Sequence, residues 1–172
     1  MTVTDRHPAA GARPPIVELR DVTAAYRARP VLEVIDLAIG PGERVAVVGP
    51  NGAGKSSLLR VMSGLLRPGR GRAFLAGDPI ELLDRQTIAR RLAVVPQAST
   101  LPFATRVEEL VGLGRIPHED PFRGHRPVDR AAIAAAIDRV GVGHLLGRDA
   151  RELSLGERQL VLIALAVARP RR

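Results

Sequence analysis

The sequence predicts an α/β fold, and three features of it do so. A short unbroken apolar run, Val45-Ala46-Val47-Val48, has the character of a core strand buried on both faces. A glycine-rich loop lies directly behind it. The segment Lys55 to Leu66 then places Leu58, Leu59, Val61, Met62 and Leu65 at helical spacing, closed by Gly64 and Pro68.

The remaining elements follow along the chain. Residues 1–15, rich in Ala, Pro, Arg and Gly, read as a disordered lead-in without the continuous apolar stretch of a signal peptide. Ile16 to Val22 and Val31 to Ile39 read as β-branched, half-alternating strands joined by a turn at Arg27 to Pro30, which makes an antiparallel hairpin. Ala73 to Ala76 reads as a short strand and Asp84 to Arg91 as a short helix. Leu92 to Val95 reads as a second buried strand, ending at Pro96-Gln97. From Arg106 onward the pattern is helical: Val107 to Leu113, Val128 to Val140 and Gly156 to Ala168, with a loop rich in Pro, His and Gly at 116–127. A helical subdomain is thus inserted after the second core strand.

Composition bounds the function. A chain of 172 residues that is 45% hydrophobic buries one core, and the absence of cysteine removes disulfides and thiolate-ligated metals. The net charge of +8 invites a nucleic-acid partner. However, three Phe and one Tyr are too few for a stacking platform, and the charge is scattered rather than blocked, so no nucleic acid is expected. The longest apolar run, Leu160 to Ala168, is about half of what spanning a bilayer requires, so no direct membrane insertion is expected.

The chemistry sits in Gly49-Pro50-Asn51-Gly52-Ala53-Gly54-Lys55-Ser56, a full match to G-x-x-x-x-G-K-[ST] in strand-to-helix context, followed by Ser57. The glycines let successive backbone N–H groups converge on phosphate oxygens, and the helix that starts near Lys55 adds the positive end of its dipole. Lys55 is expected to reach the β- and γ-phosphates of ATP and the Ser56 hydroxyl to ligate Mg²⁺. Of the 26 basic residues only Lys55 is lysine, which argues against a chance glycine-rich turn.

A second motif, Leu153-Ser154-Leu155-Gly156-Glu157-Arg158-Gln159, opens the last apolar helix. Two readings stand side by side. Ser154 with Glu157 three residues later makes a capping box. The same stretch resembles the L-S-G-G-[QE]-x-Q signature of ABC transporter ATPases. Tyr26, 23 residues before Gly49, and Gln97, at the end of a strand before the helical subdomain, fall where that family carries its adenine-stacking aromatic and its Q-loop glutamine. Val111-Gly112-Leu113-Gly114-Arg115-Ile116-Pro117-His118 is similar to the V-x-L-G-R-x-P-H stretch of importers for iron-siderophores, haem and cobalamin. A helix end capped by Gly114 and stopped by Pro117 explains the same residues. No transition metal is expected at His118 and His125, which lack an accompanying carboxylate or thiol cluster.

The resemblance covers about residues 16 to 170 and implies a partial ABC ATPase domain. Its parts are a nucleotide-binding β and P-loop core at 16–97, a helical subdomain at 98–157 and a signature helix at 158–170. It implies Mg-ATP as ligand, with Gln97 touching Mg²⁺ and the attacking water. It implies a like subunit packed head to tail, so that Ser154, Leu155, Gly156 and Glu157 of one chain face the nucleotide of the other. Transmembrane permease subunits would hold the chain at the cytoplasmic face of the membrane. Three departures stand out: Leu155 replaces a signature glycine, and Leu160 and Leu165 stand where arginine is usual. The family continues after its signature helix with an apolar strand ending in Asp-Glu and a further strand ending in a switch histidine, which this sequence does not show. The expectations are an incomplete core sheet, exposure of buried-type strands such as Val45 to Val48, and doubtful hydrolysis by this chain alone.

Overall fold

The computed structural model describes residues 14–97, 104–118 and 126–169. Most of the lead-in, the tip of the 116–127 loop with His125, and Phe103 and Phe122 lie outside them. The chain divides into two compact units, residues 1–88 and 89–172.

In the first unit, β1 (Val17–Tyr26) and β2 (Arg29–Ile39) form the expected hairpin, in register from Val17↔Ile39 to Tyr26↔Arg29. Its two-residue turn puts Arg27 at φ 45° and Ala28 at φ 64°, the positive pair that matches the twist of a tight hairpin, here without a glycine. A short helix, α1 (Lys55–Met62), comes next, followed by β3 (Arg70–Leu75) and a two-residue β4 (Asp78–Pro79). The sheet is antiparallel throughout, in the order β2-β1-β3-β4. Val17, Leu19, Val22 and Ala24 of β1, with Leu32, Ala73 and Leu75, are buried, as are Leu58 and Val61 of α1. The core of this unit therefore lies between the sheet and the P-loop helix.

Two sequence expectations are corrected here. Val45 to Val48 and Leu92 to Val95 form no strand: both run as irregular chain, with Val45 45%, Val48 72% and Val94 48% exposed. The physical reason is the lack of ladder partners. Among the described residues, no strand outside β1 to β4 offers either segment the hydrogen bonds a central strand needs, and apolar sequence alone does not make a ladder. This is the exposure expected of an incomplete core sheet. The P-loop helix also ends earlier than its periodicity suggests: Ser63 caps it at Met62, and Gly64 takes φ 71°.

The boundary between the units falls within α2 (Arg85–Arg91), whose first turn is held by Asp84, with Oδ1 accepting from the Thr87 N–H at 2.7 Å. The second unit is helical: α3 (Val107–Gly112), a 3-10 turn over Leu113–His118, α4 (Pro127–Val140) and α5 (Leu155–Ala168). Its core gathers Val107, Leu110 and Val111 from α3, Ala136 and Ile137 from α4, and Val161, Ala164 and Ala168 from α5. Gly114 lies so close to the Leu165 carbonyl that no side chain fits at that position. No described helix is long and apolar enough to cross a membrane.

A buried ion pair joins these helices. Arg115, 4% exposed, donates from Nε and Nη2 to Asp129 Oδ1 at 3.0 and 2.6 Å, and from Nη1 to the Ala168 carbonyl at 3.2 Å. Asp129 is fully buried and accepts from the Arg126 N–H through its other oxygen at 3.0 Å, which caps α4. Burial alone would raise the Asp129 pKa, but the hydrogen bonds from Arg115 and Arg126 outweigh it and hold the group at about 2.

Because the folded-state pKa lies below the unfolded one, this contribution to stability is complete above about pH 4 and is lost as the pH falls toward 2. Asp129→Asn leaves Arg115 buried without a counter-charge and is expected to cost about 3–5 kcal/mol at neutral pH, read from urea denaturation. The same variant should show a flatter loss of stability between about pH 4 and 2 than the parent chain.

Candidate functional site

The glycine-rich loop is bent around its own lysine. Lys55 Nζ donates to the Gly49 carbonyl at 2.8 Å and to the Pro50 carbonyl at 2.7 Å, so the ammonium sits inside the curl made by the residues before it. Ala53 N–H closes a turn onto the Pro50 carbonyl at 3.3 Å. Gly54 then takes φ 86° as the residue capping α1, and a Cβ there would lie 2.5 Å from the Val31 carbonyl oxygen. Both the left-handed backbone and the close approach to β2 demand glycine. Gly52, at φ 83°, has open space around it.

Helix α1 leaves the loop with no acidic residue in its first turn, so the positive end of its dipole is not offset locally. Ser56 is exposed on that turn, while Ser57 is buried beneath it. Asn51 and Pro50 lie exposed along the loop, and Ala53 is half-buried. One ammonium, the unopposed N-terminal end of a helix and a hydroxyl within a single turn make a donor set for a polyphosphate with its divalent cation. A triphosphate with Mg²⁺ fits that chemistry: Gly49 to Ser56 would hold the phosphates, and the Ser56 hydroxyl would be the candidate ligand to the cation.

Tyr26 closes β1 on the α1-facing side of the hairpin, in step with buried Val22 and Ala24. Its ring is 38% exposed, and its hydroxyl accepts from Arg60 Nη1 of α1 at 3.0 Å. The Arg60 hydrogen bond, opposed by burial and aided by Ser57, lowers the Tyr26 pKa below the usual phenol value. The structure thus brings Tyr26 to the P-loop helix. Sequence reasoning did not single out Arg60; its position on α1 three residues after Ser57 was the available signal.

The other predicted residues belong to the second unit. Gln97 lies exposed at a bend after the irregular Leu92–Pro96 segment. Ser154 caps α5, with its Oγ accepting from the Glu157 N–H at 3.3 Å, while Glu157 Oε2 accepts from the Ser154 N–H at 2.8 Å. The reciprocal capping box is therefore present. Its hydrogen bonds with Ser154, and then the Arg148 guanidinium at 3.0 Å, lower the Glu157 pKa. Leu155 is 75% exposed at the head of the helix, and Gly156 has open space around it. Arg148 was not anticipated either; only folding brings the turn before α5 to Glu157.

Comparison with known proteins agrees with this geometry. Residues 32–172 match the ABC transporter family. The chain is 49% identical over 138 residues to a hemin import ATP-binding protein of Pseudomonas putida, covering 80% of this chain and 52% of that protein. A cobalamin import ATP-binding protein of Halobacterium salinarum is 43% identical over 138 residues, covering 80% and 34%. The ferric enterobactin transport ATP-binding protein of Escherichia coli is 37% identical over 147 residues, covering 86% and 54%. Among solved structures, an ATP-binding subunit of an ABC transporter superposes with a TM-score of 0.76 at 26% identity, over 90% of this chain and 63% of that one. The chain spans about half the length, or less, of the curated relatives it matches. With residues 32–172 matched by the family and relatives up to 49% identical, the chain belongs to the ABC transporter family.

Proposed function

We propose that this chain is the ATP-binding part of an importer that couples ATP binding and hydrolysis to uptake of a metal chelate of the haem, iron-siderophore or cobalamin class. The observation that carries this reading is the loop Gly49 to Ser56 bent around the Lys55 ammonium at the head of α1. The substrate class rests on the relatives, which are named for hemin, cobalamin and ferric enterobactin, and on the Val111-to-His118 stretch.

In this reading Lys55 exchanges its two neutral loop carbonyls for the anionic β- and γ-phosphate oxygens, so that both partners of the contact are charged. Ser56 and Gln97 hold the magnesium side of the site, and Tyr26 stacks on adenine. Bound Mg²⁺ supplies charge neutralisation across the β- and γ-phosphates. Ser154 and the Gly156 backbone serve the nucleotide of a like subunit packed head to tail. Permease chains carry the pair at the cytoplasmic face of the membrane. The parts of the chain in this scheme are the core at 16–97, the helical subdomain at 98–157 and the signature helix at 158–170.

A non-catalytic nucleotide-binding module is the alternative, and Leu155 favours it: a branched, exposed side chain stands where the other subunit's nucleotide would approach. Phosphate release under saturating Mg-ATP separates the two, since the module binds without turnover.

Calorimetry with Mg-ATP tests the reading itself. Lys55→Ala should weaken binding by about tenfold to a hundredfold, the worth of one charged hydrogen-bonded contact. No binding by the parent chain, or equal binding by the variant, overturns it. Ser154→Ala should lower stability by about 1 kcal/mol through the lost cap, while leaving the chain's own ATP affinity unchanged in calorimetry.

A further inference from the structure

Tyr26 stands at the end of a hairpin whose turn residues, Arg27 and Ala28, both adopt positive φ without being glycine. Such a turn is costly, and the aromatic beside it would swing freely if nothing else held it. What holds it comes from another element. Arg60 Nη1 reaches the Tyr26 hydroxyl at 3.0 Å, and Ser57 lies near enough to help lower the phenol pKa. Both residues sit on α1, the helix that begins at Lys55. Arg60 is itself exposed, so its packing contributes little to the core, and its ordered contact is with the phenol.

We infer that Arg60 is a positioning residue for the nucleobase: from the phosphate-binding helix it fixes the Tyr26 ring, so that the exposed face of the ring is presented to a base at a set distance from the phosphate loop. The inference rests on the nucleotide-binding reading above and adds to it a residue that touches neither base nor phosphate. Ring orientation matters because stacking depends on the approach of two planes, and a ring that must be ordered on binding loses affinity to that ordering. A tether drawn from α1 also means that the base and phosphate subsites share one helix. Phosphate contacts and base contacts are then fixed in the same frame.

The test separates base from phosphate. Mg-ATP and magnesium tripolyphosphate are titrated by calorimetry into the parent chain, Arg60→Met, Arg60→Lys, Tyr26→Phe and the Arg60→Met/Tyr26→Phe double variant. Arg60→Met is expected to weaken ATP by about tenfold, within the range of a base stacked on an aromatic, and to leave tripolyphosphate within about twofold. Tripolyphosphate binding also reports that each variant is folded. Tyr26→Phe, which keeps the ring and loses the acceptor, should match Arg60→Met. The double variant should be no weaker than either single one, and Arg60→Lys should restore most of the ATP affinity. Equal weakening toward both ligands would make Arg60 a phosphate contact and overturn the inference. So would no change toward ATP, or a parent chain that binds tripolyphosphate as tightly as ATP, although the phosphate-loop reading would survive these. A parent chain that binds neither ligand overturns both.

Discussion

The close approach of Gly54 to the Val31 carbonyl is the constraint on which the first unit depends. It forces a left-handed residue at the head of α1, and a side chain of any size would push the helix off β2. The chain before the helix arrives curled, with the Gly49 and Pro50 carbonyls on the Lys55 ammonium. Leu58 and Val61 then face the sheet, and Arg60 falls within reach of Tyr26. The glycine-rich loop, the packing of the helix and the position of the aromatic thus all meet where α1 starts against β2.

The second unit is organised by charge rather than by backbone approach alone. Arg115 is nearly inaccessible and ties the 3-10 turn to the start of α4 through Asp129 and to the end of α5 through the Ala168 carbonyl. Arg169 continues the joint by donating to the Leu92 carbonyl at 2.8 Å, and Arg90 does so by donating to the Pro117 carbonyl at 2.7 Å. The segment that leads to Gln97 and the far end of the signature helix are therefore anchored to the same few residues. A buried pair of this kind adds little net stability over apolar packing, but removing one partner strands the other charge.

The hairpin, the P-loop helix and the helices α3, α4 and α5 were legible in the sequence because their information is local: periodicity, capping residues and turn chemistry. The glycine-rich loop was legible for the same reason, since eight consecutive residues carry the motif. What stayed hidden depends on distant partners. Val45 to Val48 has strand composition, but a strand exists only where a neighbour supplies the ladder, and composition is blind to whether the neighbour is there. Arg60, Arg115 and Arg148 are three of many arginines, and only the fold separates them from those that face solvent. The Val111-to-His118 stretch shows the same limit. Its Gly114 and Arg115 are explained by the crowding of Leu165 and the pairing with Asp129, neither of which the motif itself contains.

The signature helix shows why one sequence pattern sustained two interpretations. Ser154 and Glu157 do form a capping box, and that bond pattern accounts for both residue types without any reference to nucleotide. Ser154 nonetheless stands at the exposed head of the helix, beside the exposed Leu155. Gly156 leaves open space beside it, and the helix dipole points outward at the same spot. The geometry that starts a helix well is also the geometry that offers donors to an anion. A serine that caps α5 is thereby kept at the head of that helix, where the proposed contact with a second subunit's nucleotide would be made, so one residue carries both the structural role and the proposed functional one.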